Sequence, residues 1–257
     1  MTKYLFGVVA LGFLVSTATA AETVDETFDE SYTLESDASI SVKNIDGSIR
    51  IYAADVNEVH VHALKRAYTA DRVNRIEIVA QATPKSLTID TRMPPKSGGL
   101  LADKSGVVDY TLIVPMRANI AACDLSAGEI LIEGLREGSA KAHLVNGWLA
   151  VHNSFVDTDA SITNGKLDLA YDWWPEGKTF TANGTSVNGT VRALIPPDGS
   201  AAISAASENG KVANNFDDSE TKPVTNASSV ETVIGSGKSA TVTLRSTNGN
   251  IRIDRSY

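Results

Sequence analysis

Gly47, Gly128, Gly147, Gly165, Gly189, Gly210 and Gly249 share a setting that restricts what this chain can fold into. From Gly128 onward they recur at roughly 20 residues, with one interval near twice that, which is the mark of a stacked repeat. Two positions after each glycine stand Ile49, Ile130, Leu149, Leu167, Val191, Val212 and Ile251, apolar in every copy. Four positions after it stand Ile51, Ile132, Val151, Leu169, Ala193, Asn214 and Ile253, with Asn214 the exception. The residue between is mixed, so each copy carries a strand with one buried face.

The residues before the glycine form a second pattern. Five positions back are Val42, Cys123, Ala142, Ala160, Gly184, Ala205 and Leu244; seven back are Ile40, Ala121, Ala140, Thr158, Ala182, Ile203 and Val242. A strand of large aliphatics thus faces a strand of mostly small residues, which fills a narrow interior without voids. Cys123 falls in one of these interior slots and reads as a space-filler. The residue preceding the glycine is Asn in five copies, Asn146, Asn164, Asn188, Asn209 and Asn248, and Asn-Gly suits a sharp turn between two strands.

Preserved side-chain size at fixed offsets favours stacking over separate hairpins, so the expected fold is all-β: a parallel β-solenoid, single-stranded and right-handed, with coils of about 20 residues rising by the ~4.8 Å strand spacing. A β-sandwich built from Asn-Gly hairpins is the second choice. On this reading the chain would end at RSTNGNIRIDRSY on an open coil, guarded against fibre growth by Arg252, Asp254 and Arg255.

The other segments read as further strands: EVHVHALKRA, RIEIVAQA paired with SLTIDTR, and VVDYTLIVP ending at Pro115. Residues 94–106 form a Pro/Gly loop, and the polar stretch 215–240 is a degenerate coil or an excursion. No helix of normal length is expected.

The chain opens MTKYLFGVVALGFLVSTATAAET, with Lys3, a short apolar run and small residues up to Ala20. That order signals a secretory leader cleaved after Ala20, since the apolar run is too short to span a bilayer. The expected organisation is a leader at 1–20, an extension at 21–36 and one repeat domain at 37–257. No membrane span is expected after cleavage, and the location would be periplasmic or secreted. A net charge of −8 argues against nucleic acid as a partner. A lone cysteine excludes an internal disulfide. With 42% apolar but only 6% aromatic residues, the fold must rest on an aliphatic core.

SVKNIDGSIRIYA, VVDYTLIVP, the serial LSAGEILIEG, LVNGWLAVHN, ITNGKLDLAY and SENGKVANN, and the closing STNGNIRI together resemble the bacterial putative adhesin family of β-solenoid domains, over about residues 37–257. The resemblance implies an exported protein and an architecture. It brings no catalytic signature and no functional residues.

Two constellations carry candidate chemistry. Asp124, His143 and Ser161 share one offset on successive copies, which would set an acid, a base and a nucleophile ~4.8 Å apart in an outward column. A polar ladder is the plainer account, because no nucleophile elbow or oxyanion hole accompanies them. Asp172, Trp173 and Trp174 occupy the lengthened interval before Gly189, where indoles beside a carboxylate suit a sugar ring; the competing account folds the indoles back over the core edge. Trp148 would widen that patch only if the two turns share an edge. His60 and His62 lack a third ligand. Asp157, Asp159, Asp217, Asp218 and Glu220 lack calcium-loop spacing. No metal or other cofactor is expected.

The function expected from these observations is a non-enzymatic envelope or surface protein, an adhesin or binding scaffold whose partner is an envelope protein or a glycan. A polysaccharide-acting enzyme and an accessory of envelope stress signalling are the alternatives.

Overall fold

The computed structural model describes residues 23–95, 103–216 and 227–256. The expected leader and the acids Asp217, Asp218 and Glu220 lie outside the described residues. The elements run β1 (Val24–Thr33), β2 (Ser39–Ala54), β3 (Glu58–Ala67), α1 (Ala70–Asn74), β4 (Glu77–Thr83), β5 (Ser86–Arg92), β6 (Val107–Pro115), β7 (Asn119–Glu133) and β8 (Ser139–His152). They continue as β9 (Asp157–Ala170), β10 (Phe180–Ile195), β11 (Ala201–Asn209), β12 (Val212–Asn214), β13 (Ser229–Ile234), β14 (Ala240–Asn248) and β15 (Ile251–Arg255).

Alternating burial in β8 shows how the sequence builds a strand that turns a corner. Ala140, Ala142 and Leu144 are buried, then Asn146, Gly147 and Trp148 are exposed in succession, and Leu149 and Val151 are buried again. The period-two phase slips at the glycine, so both limbs present their apolar side to one core. Gly147 has φ +136, and a Cβ there would overlap the carbonyl oxygen of Gly128 in the strand beside it. Glycine is therefore required for conformation and for closeness at once. The preceding Asn is not there for its φ. Among the described residues the only non-glycine with positive φ is Asn153. At Gly47, Gly128, Gly147, Gly165 and Gly189 the expected turn is instead a bend within one continuous strand, while at Gly210 and Gly249 it separates β11 from β12 and β14 from β15.

Parallel neighbours align these corners: Gly47 pairs with Gly128, Gly128 with Gly147, Gly147 with Gly165, and Gly165 with Gly189. Leu149 and Leu167 are register partners and belong to one hydrophobic cluster.

The expected parallel β-solenoid is corrected by the rest of the topology. The strands form a single 15-stranded mixed sheet whose main path is β1-β3-β6-β2-β7-β8-β9-β10-β14-β11-β13. β1 with β3, β3 with β6, β4 with β5, and β11 with β13 are antiparallel. The path runs from β1 to β13 without returning on itself. No uniform coil exists, because the glycine offsets report only the strands that carry them. β2, for instance, is flanked on one side by two different segments, β5 against Ser39–Lys43 and β6 against Gly47–Ala54.

Layer order also departs from chain order. β14 and β15 insert between β10 and the pair β11 and β12, so Asn248 faces Asn188 on one side and Asn209 on the other. RSTNGNIRIDRSY is thus not an open end: Ile251, Arg252 and Ile253 are paired on both flanks. Core volume accommodates the insertion: Leu244, the one large residue next to alanines and a glycine in its row, is paired with Gly184 and with Ala205, and the space at Gly184 is shared by methyls of Leu167, Leu169 and Leu244 at 3.1, 3.3 and 3.4 Å. A bulge in β7 shifts another slot: Ile120, not Ala121, aligns with Ala140 and is buried, while Ala121 is exposed.

The segment 21–36 contributes β1, antiparallel to β3, and the polar stretch after Asn214 contributes the edge strand β13. No helix among the described residues is long and apolar enough to cross a membrane.

Candidate functional site

The interval between Asn164 and Asn188 is 24 residues, against 18 between Asn146 and Asn164. The surplus forms the connection between β9 and β10, where Asp172, Trp173 and Trp174 lie. Tyr171 enters this connection fully buried, its backbone carbonyl accepting from the Ser256 hydroxyl at 2.6 Å. Burial pushes the Tyr171 phenol well above its ordinary range.

The structure separates the three residues. Trp174 folds back onto the core edge, its ring centroid 5.5 Å from both Tyr171 and Phe180. Its indole nitrogen is buried without a hydrogen-bond partner. Asp172 is engaged by its own protein: the carboxylate meets His152 Nε2 at 2.7 Å and accepts from Asn153 Nδ2 at 3.1 Å, while its backbone N–H donates to Asn153 Oδ1 at 2.8 Å. His152 Nδ1 faces Glu133 at 3.2 Å, so a polar chain crosses three layers. Trp173 is presented to solvent at 43% exposure, beside the exposed but hydrogen-bonded Asp172. It meets Phe155 edge to face at 4.7 Å, and the Arg136 guanidinium sits 5.0 Å from its ring centroid. Burial lowers the Arg136 pKa from its usual value.

The column Asp124, His143 and Ser161 is in register, and His143 Nδ1 lies 3.0 Å from Ser161 Oγ. The relay is incomplete. No hydrogen bond joins Asp124 to His143 among the described residues, and the Ser161 hydroxyl also donates to the Ala142 carbonyl at 3.4 Å.

The Asn amides bond to one another. Asn209 donates to Asn248, Asn248 to Asn188, Asn188 to Asn164, and Asn164 to Asn146, at 2.9–3.1 Å, and Asn146 ends the run on the Ser126 carbonyl. Cys123 is buried, and desolvation pushes its thiol far up, as suits a packing residue. His60 and His62 are exposed and contact Ser31 and Asp29. No group of three or more His, Cys, Asp or Glu side chains among the described residues is arranged to hold a metal ion.

Trp148 belongs to a different surface from Trp173. Its indole N–H donates to Asp168 Oδ2 at 2.8 Å, and the Asp168 carboxylate, nearly buried, also holds Lys166 at 2.8 Å and Arg192 at 3.1 Å. Sequence reasoning missed this cluster because alternation marks position 168 as outward. The available signal was diagonal: an aromatic one residue past a glycine, and an acid three past the next.

No family model matches the chain, and no curated protein matches it in sequence. Solved structures do resemble it. A putative cell adhesion protein from Clostridium sporogenes ATCC 15579 is 14% identical, with a TM-score of 0.50 over 91% of this chain and 100% of that one. A putative adhesin from Bacteroides fragilis NCTC 9343 is 10% identical, with a TM-score of 0.35 over 89% and 97%. A putative adhesin from Parabacteroides merdae ATCC 43184 is 9% identical, with a TM-score of 0.26 over 89% and 96%. The first of these shows a shared fold.

Proposed function

We propose that this chain is an exported, non-enzymatic binding scaffold of the cell envelope or surface, of adhesin type. The observation that carries the reading is the in-register array of outward side chains, held at the spacing of parallel strands from β2 to β11. Rows fixed by backbone pairing lose little ordering entropy when a ligand docks on them. The description of the Clostridium sporogenes structure as a putative cell adhesion protein points in the same direction.

Within the connection read from the sequence as a ligand loop, Trp173 is the contact residue, and Asp172 holds the loop against His152 and Asn153. A glycan array probed with the protein lacking residues 1–20, together with pull-down from periplasmic extract, tests the reading. Specific capture of a glycan or one envelope protein, weakened by Trp173→Ala, supports it; glycan cleavage products on mass spectrometry would overturn it in favour of an enzyme. Amino-terminal sequencing of the exported protein checks cleavage after Ala20.

A further inference from the structure

We propose that Trp148, Lys166 and Arg192 form a binding subsite for an acidic sugar residue, a hexuronate within a polysaccharide. The inference rests on the binding-scaffold reading but not on the connection that holds Trp173.

The platform is built by the strand register. Trp148 on β8 pairs with Lys166 on β9, and Ala150 pairs with Asp168. To reach Asp168, the indole must lean two residues along the strand, across Ala150. Ala150 points outward between buried Leu149 and Val151, yet is only 4% exposed, as a residue lying beneath the indole should be. The indole therefore lies along the sheet, 40% exposed, with the Lys166 ammonium over its ring at 5.6 Å from the centroid. With the N–H bound to a carboxylate that is itself fixed by two cations, the ring has little freedom left to lose on binding. The negative face of an immobilised indole suits the C–H face of a pyranose.

The charge around the platform selects among sugars. Lys166 and Arg192 share the single Asp168 carboxylate, and Arg50 is paired with Glu129 at 3.0 Å on the other side. Beside Trp148 two cations thus meet one carboxylate, in a chain whose net charge is −8, while Arg50 is balanced by Glu129 and also feels Asp109. Arg192 spends its Nε on Asp168, and no protein acceptor among the described residues takes its terminal nitrogens. Those nitrogens, with Lys166 Nζ 5.6 Å from the Trp148 ring centroid, are placed to receive a carboxylate carried by a ring stacked on the indole.

The test is calorimetric titration of the leaderless protein with oligogalacturonate and with its methyl ester, which keeps the ring and removes the charge. Expected are binding of the acid, at least tenfold weaker binding of the ester, at least tenfold loss on Trp148→Ala, and a smaller loss on Trp148→Phe. Arg192→Gln should weaken the acid severalfold, and Lys141→Gln, the same charge change on the other limb of β8, should not. Absence of uronate binding, equal affinity for acid and ester, or unaltered binding by both Trp148 variants would overturn the subsite. Absence of uronate binding together with capture of a different glycan through Trp173, or of a protein alone, would leave the scaffold reading standing while removing this one.

Discussion

Asn248 donates its side-chain amide to Asn188 Oδ1 at 2.9 Å across a sequence separation of 60 residues, while accepting at 3.1 Å from Asn209. Each interior Asn of the ladder makes two such bonds, and each bond is worth about 1 kcal/mol net. Asn248→Ala and Asn164→Ala are therefore expected to lower stability by about 1–2 kcal/mol in urea denaturation. Asn209→Ala, with a single ladder bond, should cost about half as much.

Gly184 and Leu244 are complementary in volume. Gly184→Leu is expected to destabilise by at least about 2–3 kcal/mol, because the new side chain meets Leu167, Leu169 and Leu244. Combining it with Leu244→Ala should recover part of the loss, since Leu167 and Leu169 still press on the site. Additive penalties in that double-mutant cycle would contradict the placement of β14 beside β10.

Alkaline sensitivity follows from Tyr110, which is fully buried, bonded to the Thr91 hydroxyl at 2.7 Å, and pushed by burial up to about 12. In the unfolded chain a tyrosine ionises near pH 10, so between about pH 10 and 12 the unfolded state holds fewer protons than the folded one. Stability from this group is complete below about pH 10 and declines by about 2–3 kcal/mol as pH rises through 12. Tyr110→Phe should flatten that decline, measured by denaturation midpoints on either side of pH 10. Tyr171, also raised, leaves a remainder.

The two neighbouring tryptophans should separate packing from display. Trp174→Ala removes a ring packed on Tyr171, Phe180 and Phe155 and is expected to cost about 3 kcal/mol. Trp173→Ala should change stability by less than about 1 kcal/mol, as read by thermal unfolding.

The columns led by Ile49, Ile130, Leu149 and Leu167 were legible because one buried row needs one kind of side chain at one offset. Strand order was not legible, since Gly210 and Gly249 carry the same local signal. Ile120 was hidden by a bulge, which moves a slot without altering composition. At the candidate loop, the pattern located Trp173 and Trp174 but not their opposite orientations, which depend on Phe155 and Phe180 arriving from elsewhere. Asp168 escaped because alternation describes where a side chain starts and not what later covers it.

Because β11 precedes β14 in the chain yet lies beyond it in the sheet, the molecule cannot assemble in the order of its synthesis. β11 ends on the same Asn-Gly signature as β14, so a premature β10–β11 pairing is a register-compatible trap that sets Ala205 in place of Leu244 beside Gly184. Escape requires β11 to detach and readmit the later strand. A strand exchange of this kind is expected to show as a slow refolding phase in tryptophan fluorescence that weakens when β11 is deprived of its Asn209 amide.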